Sequence, residues 1–375
     1  MTITLNGDTG ITTPMYNGTI SANAVTPSVS MKNRLINSAM VIDQRNAGAS
    51  VTQTTSNLYP VDRFLIYGSV TSKFTAQQSS TAPVGFSNSL IITSSAATTP
   101  ASGDLYILRQ AIEGYNIADL NWGSANAKTV TLSFWVRSSL TGSFGASITN
   151  GDVNRSYPFS YTISAANTWE QKSITIAGDQ SGSWNTTNGT GIRLYFNLGA
   201  GSSYNGTANA WATTSDVTFP SGSTAVVGTN GATFYITGVQ LEVGSSATSF
   251  DYRQYGQELY LCQRYFQKYT YANSTVVVSG LCDSSSNASC GMNFMQEMRT
   301  SPTVTLPAAG SGSGQQAFLT SGGNYPSTIG TNSALYITAN NFKIQGSGYT
   351  SAFTQGNAAW LYSTQTTSIT ASAEL

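Results

Sequence analysis

The 375-residue chain contains no histidine. That excludes Ser-His-Asp and Cys-His catalysis, HExxH zinc sites, other histidine-based zinc sites and any histidine pH switch. Charge is nearly as scarce: 16 Lys plus Arg balance 16 Asp plus Glu, 9% of the chain for a net of zero. An ordinary soluble domain carries about 25%. With no basic surplus to neutralise a run of phosphates, no nucleic-acid partner is expected. The three cysteines, Cys262, Cys282 and Cys290, are an odd set without a CxxC pair. They read as free thiols of a protein made in a reducing cytosol, not as a disulfide framework. No basic, apolar leader opens the chain and no apolar run approaches membrane-spanning length, so neither signal-directed export nor membrane insertion is expected.

What is present is a chain rich in Ser, Thr and Gly with 40% hydrophobic residues, 20 Tyr, 15 Phe and 6 Trp. So many aromatics exclude a disordered polar chain, and uncharged hydroxyls suit the outer surface of β-sheets. Residues 1–31 hold few apolar groups and two Asn-Gly turn signals, Asn6-Gly7 and Asn17-Gly18; they read as an arm ordered against a partner. Strand patterns then crowd 32–252. Val130, Leu132, Phe134 and Val136 fall on one face of a strand whose other face carries Thr131, Ser133, Trp135 and Arg137. Ile192, Leu194, Phe196 and Leu198 alternate likewise with Arg193, Tyr195 and Asn197. Further runs are expected at 84–93, 104–112, 157–163, 168–176 and 232–243, separated by Gly, Asn, Asp and Ser clusters. Tyr255, Leu259, Cys262, Phe266 and Tyr269 keep a 3.6 spacing, with Glu258 early and Arg264 and Lys268 late, which predicts a linker helix within 253–270. Short strands return at 274–281, 334–338, 341–345 and 358–363, making 271–375 a smaller β domain; Gly310–Gly314 is a loop without the strand and helix a phosphate cradle needs. The fold class expected is all-β, a sandwich plus a second β domain.

A succession of blocks resembles phage and prophage tail-fibre-type virion proteins. They are Lys32–Met40, Ile42–Gly48, Val61–Phe64, Arg109–Gly114, Val130–Ser138, Thr168–Ile176 with Gly178-Asp179, Phe234–Gly244, Phe250–Arg253, Glu258–Phe266, Met298–Thr305 and Ala371–Leu375. In this order they cover most of 32–375; the departure is Phe64, where the family usually has Trp after Asp-Arg. The resemblance implies a jelly-roll sandwich similar to carbohydrate-binding modules, in a homotrimer. It also implies attachment to other virion proteins through 1–31 and contact with a host-surface polysaccharide. Localisation on a tail fibre is expected, with a capsid decoration role as the alternative. Modules of this shape often hold a structural calcium, for which Glu242 is a carboxylate, but no EF-hand-like oxygen array appears; no other cofactor and no metal site is expected.

Sugar recognition needs flat apolar faces beside planar polar groups. Two places offer them. One is the outward side of the alternating strands, with Trp135 and Arg137 on one and Arg193 and Tyr195 on the other. The second is a pair of loops bearing Trp184, Tyr204 and Trp211. Each aromatic has a competing role, burial against a neighbour or anchoring of its loop, and Tyr325, Tyr349, Trp360 and Tyr362 share the ambiguity. One catalytic route survives the missing histidine, a carboxylate pair of the glycosidase kind, drawn from Glu113, Asp119, Asp152, Glu170, Asp179 and Asp216. Turn-forming or solvated roles explain these acids, and the chain is expected not to be an enzyme.

Overall fold

The computed structural model describes residues 4–6, 10–12, 31–213, 216, 218–310, 315–320, 330–349, 353–363 and 366–375. Two units are compact in themselves, Met1–Lys32 and Asn33–Leu375. In the first, Thr4–Asn6 pairs antiparallel with Gly10–Thr12, Asn6 opposite Gly10. The connection beginning at Gly7, the Asn17-Gly18 turn and the rest of the expected arm lie outside the described residues.

The second unit is built on a jelly-roll sandwich of two six-stranded antiparallel sheets. The front sheet runs Glu170–Ile176, Val130–Ser138, Thr233–Val243, Ser89–Ser94, Phe74–Ser79 and Val51–Thr52. The back sheet runs Ser156–Ile163, Gly142–Asn150, Thr190–Ala200, Leu105–Glu113, Phe64–Gly68 and Leu58–Val61. The alternating residues Val130, Leu132, Phe134 and Val136 from the front and Ile192, Leu194, Phe196 and Leu198 from the back meet in one buried core. Phe134 joins the sheets edge-on, 5.0 Å from the Tyr161 ring and 5.2 Å from Phe196, the geometry the ring quadrupoles favour.

The helix is shorter than its spacing suggests. It spans Tyr255–Gln263, and Phe266–Tyr271 is a strand paired with Thr367–Ser372. Aromatic and Thr residues favour the strand, and the pairing partner lies about a hundred residues downstream. Arg264 is the helix C-cap, but its side chain binds Glu113, and Lys268 lies beyond the helix and donates to the Arg45 carbonyl. Beyond the helix, a three-stranded sheet (Phe266–Tyr271, Thr367–Ser372, Thr303–Thr305) joins a six-stranded one. Its order is Gln316–Thr320, Ala358–Ser363, Thr275–Cys282, Ala288–Asn293, Asn341–Ser347, Thr331–Leu335, around a separate core that includes Phe318, Phe342, Ile344 and Leu361. Residues 311–314 of the glycine-rich loop lie outside the described residues. All three cysteines are buried and unpaired.

This second core is tied to the sandwich through buried charge. Arg264 grips Glu113 with two hydrogen bonds of 2.9 and 2.6 Å, and the Tyr265 hydroxyl donates to the same carboxylate at 2.6 Å. Burial pushes Glu113 up, but those donors outweigh it and hold the carboxyl below its usual range. Glu374 bridges Arg45, at 2.9 Å, and Arg63. The Arg63 guanidinium carbon also sits 3.5 Å over the Tyr265 ring centroid, and the side chain donates to the Ala111 carbonyl.

Asp62, beside Arg45 at 3.2 Å, behaves differently: burial outweighs Arg45 and the Gln44 hydrogen bonds and pushes it up to about 6. A carboxyl whose folded pKa exceeds its unfolded value stabilises the fold when protonated, and that contribution is lost as pH rises through about 6. Glu113 works the opposite way, in the more acidic range below its ordinary pKa. Thermal unfolding between pH 5 and 7 is clear of Glu113 but not of Glu258, whose carboxyl burial also raises, so comparison with an Asp62→Asn variant is what isolates Asp62. The Asp62 contribution should raise the midpoint as pH falls across that window, and Asp62→Asn should flatten the profile. An unchanged slope in the variant would remove Asp62 from the account.

Candidate functional site

Among the described residues, the outer face of the front sheet is covered in one half and open in the other. In the covered half, the segment after Val243 folds back on it. Thr131 donates to the Gly244 carbonyl at 2.8 Å, and the Asp251 N–H donates to Gln240 at 2.8 Å. Glu242 accepts from Gln240, from the Thr248 N–H and, at 2.6 Å, from the Thr248 hydroxyl. Both oxygens of the carboxylate singled out for calcium thus already accept protein hydrogen bonds. Among the described residues no three His, Cys, Asp or Glu side chains gather as a metal site.

The open half carries a strip of rings and planar polar groups. Backbone register sets Gln171 and Thr237 on either side of Trp135, and Tyr235 beside Arg137. The Arg137 guanidinium sits 5.1 Å over the Tyr235 ring and donates to the Asn167 carbonyl at 2.9 Å. Trp169 meets Tyr235 edge-on at 6.0 Å. Trp135, Arg137, Tyr235 and Trp169 are all half-buried and Gln171 is exposed. The sheet thus fixes the side chains while leaving them in reach of solvent.

The strip continues past Trp135 because residue 238 is glycine. Its φ is +60°, and a Cβ there would lie 2.6 Å from the Phe86 ring and 3.2 Å from Trp135. Phe86 then packs at 5.0 Å on Phe250 and 5.5 Å on Tyr252. Beside these rings is a 120 Å³ pocket whose lining includes Arg253 and Glu258. Burial pushes the Glu258 carboxyl up, against the Asn37 N–H and Arg253, which pull it down.

The other expected residues lie elsewhere. Arg193 and Tyr195 are on Thr190–Ala200 in the back sheet, so their outward side faces away from Trp135 and Arg137 across the sandwich. Tyr195 is only 2% exposed, because Phe219 and Tyr204 from the following loop pack over it with Ile107. Arg193 is half-buried beside it.

Trp184 and Trp211 join Trp122 in a mutually edge-on cluster, with ring separations of 4.7, 5.4 and 5.5 Å. Each indole N–H is spent on a backbone carbonyl: Trp122 on Lys128, Trp184 on Ser181, Trp211 on Ala177. Nearby, Arg155 clamps Asp179 with bonds of 2.7 and 2.6 Å. This is how loops are pinned to a sandwich. Trp211→Phe should cost about 0.5–1.5 kcal/mol, the worth of one hydrogen bond, in urea unfolding and leave ligand affinity unchanged; a loss of affinity at unchanged stability would instead make the cluster a binding surface. In the second β region Tyr349 is buried, Trp360 and Tyr362 are half-buried, and Tyr325 lies outside the described residues.

Glu113, Asp119, Glu170 and Asp179 are held by ion pairs. Glu113 is held as above. Asp119 takes 2.6 and 2.8 Å bonds from Arg34, which keep its carboxyl low. Glu170 is lowered chiefly by Lys172 and also accepts two backbone N–H groups. Asp179 is clamped by Arg155. Asp152 and Asp216 are exposed; Asp152 borders a polar 290 Å³ cavity with Ser183, Asn185 and Thr190 and no aromatic wall.

Sequence reasoning placed Trp135 and Arg137 outward but missed Trp169, Tyr235, Phe86, Phe250 and Tyr252. Tyr235 was within reach, since it alternates with Phe234 and Ile236; the others depend on which strands pair.

No protein-family model matches the chain, and no curated protein does. Among solved structures, the chain is similar to the enzymatically active domain of bacteriophage CBA120 tailspike protein 4, with 14% identity and a TM-score of 0.28. That match covers 48% of this chain and 19% of the tailspike chain. It is also similar to a putative sugar-binding protein from Bacteroides thetaiotaomicron, with 13% identity, TM-score 0.35, and 57% and 100% of the two chains covered. A family 11 carbohydrate-binding module from Clostridium thermocellum matches with 10% identity, TM-score 0.28, and 54% and 98% coverage.

Proposed function

We propose that the chain is a glycan-binding fibre protein of a phage tail, and that it binds a host-surface polysaccharide along the open half of the front sheet. The observation that carries this reading is the solvent-reaching strip of Trp169, Tyr235, Arg137, Gln171 and Trp135. Ring faces accept the C–H faces of sugars, while the guanidinium and amide present parallel donors to hydroxyl pairs. A surface so poor in charge selects against charge-driven sticking and leaves stacking and neutral hydrogen bonds as the means of recognition.

The virion setting rests on the succession of tail-fibre-like sequence blocks. In that setting the chain is a homotrimer attached through residues 1–31, and several weak sugar sites per particle give avidity. The chain acts as a binder and not as a glycosidase, a reading supported by the ion-paired state of Glu113, Asp119, Glu170 and Asp179. The test is to add purified, labelled full-length protein to host cells together with phage. Saturable binding that blocks phage adsorption is expected. A folded trimer that neither binds nor competes would move the chain to a capsid decoration role, and released oligosaccharides would make it a depolymerase.

A further inference from the structure

The pocket at the end of the strip has a chemistry of its own. Its walls are the rings of Phe86, Phe250 and Tyr252, and its polar lining is Ser87, Arg253 and Glu258. Glu258 is 7% exposed. Its Oε1 accepts from the Asn37 N–H and from Arg253, and among the described residues Oε2 has no hydrogen-bond partner. Arg253 is committed to the carbonyls of Leu35 and Asn33. Oε2 lines the pocket without a protein donor, so a ligand N–H can take the place of water there.

Size limits the occupant. A volume of 120 Å³ is well below the ~300–1,000 Å³ of ordinary small-molecule sites, which suits one substituent of a ligand and not the whole of it. Charge narrows it further. A carboxylate would face Glu258, an ammonium would face Arg253, and a bare hydroxyl would leave the aromatic walls against water. A group with a methyl, an N–H and a carbonyl satisfies all of them: the methyl against the rings, the N–H donating to Glu258 Oε2, the carbonyl accepting from the exposed Ser87 hydroxyl.

We infer that this pocket is a subsite for the acetamido group of an N-acetylated sugar, whose ring lies on the strip at Trp135 and Phe86. The inference rests on the proposed glycan-binding role of the strip and narrows it to 2-acetamido sugars.

Chitotriose and cellotriose share a β-1,4 backbone and differ at C2, acetamido against hydroxyl, which makes them the probes. With the full-length protein, calorimetric titration should show chitotriose binding about tenfold or more tighter, the combined worth of a hydrogen bond and a buried methyl. In saturation-transfer NMR the acetyl methyl should receive the strongest transfer. Tyr252→Ala, at a position 61% exposed, and Ser87→Trp, which fills the mouth from an exposed position, should each reduce chitotriose to the cellotriose level. Equal affinities for the two sugars, with both lost in Trp135→Ala, would overturn the pocket and keep the strip. Chitotriose binding that is sensitive to Tyr252→Ala but not to Trp135→Ala would keep the pocket and overturn the strip. No binding of either sugar would overturn the pocket assignment.

Discussion

Glu374→Ala is expected to lower the unfolding free energy by about 3–5 kcal/mol, the cost of leaving a buried charge without its partner. The Glu374 side chain is 8% exposed and bridges two arginines whose side chains are 14% and 2% exposed. Arg63 has no alternative: its backbone is in the left-handed region at φ +71°, and its guanidinium is fixed between the Tyr265 ring and the Ala111 carbonyl. Losing Glu374 strands that charge between two packed layers. Lys343→Ala supplies the contrast, since its pair with Asp283 is about one-third exposed on both sides and should cost less than about 1 kcal/mol. Equilibrium urea unfolding of the two variants decides the matter; equal losses would mean that the charge cluster does not hold the second β region to the sandwich.

Trp135→Ala should reduce affinity for the cognate glycan by about 30-fold or more, the ~2 kcal/mol typical of a dominant aromatic contact. Its stability cost should be small because the ring lies outside the sandwich core formed by Phe134 and Val136. Tyr235→Ala should act in the same direction, removing the ring under Arg137. Arg193→Ala should leave affinity unchanged, since Arg193 belongs to the opposite sheet. Titration calorimetry on folded variants checks all three, and an Arg193→Ala effect matching that of Trp135→Ala would place the glycan on the back face.

These expectations show what a sequence can and cannot convey about this molecule. Alternation along Val130–Ser138 was enough to send Trp135 and Arg137 outward, because a period of two assigns a side chain to a face whatever the partner strand. The same rule sent Tyr195 outward and still did not make it accessible. What covers a face is decided by a loop returning from elsewhere, here the one bearing Tyr204 and Phe219. Two similar strands gave no hint of lying in different sheets, since sheet membership is a long-range pairing. At Tyr265–Tyr271 the residues satisfied a helical and an extended period together, and the choice fell to Thr367–Ser372. The Phe86 pocket was illegible for the same reason: its rings, Phe86, Phe250 and Tyr252, come from segments far apart in the chain.

The most direct test of the glycan-binding strip is hydroxyl-radical footprinting of the full-length protein, read at Trp135, Trp169 and Tyr235 with and without polysaccharide. The account predicts that these rings oxidise readily in the free protein and become protected when polysaccharide is added, while Trp184 and Trp122 stay protected throughout. Protection of Trp135, Trp169 and Tyr235 before any polysaccharide is present would contradict it, because the strip would then be buried between subunits and serve assembly instead of recognition.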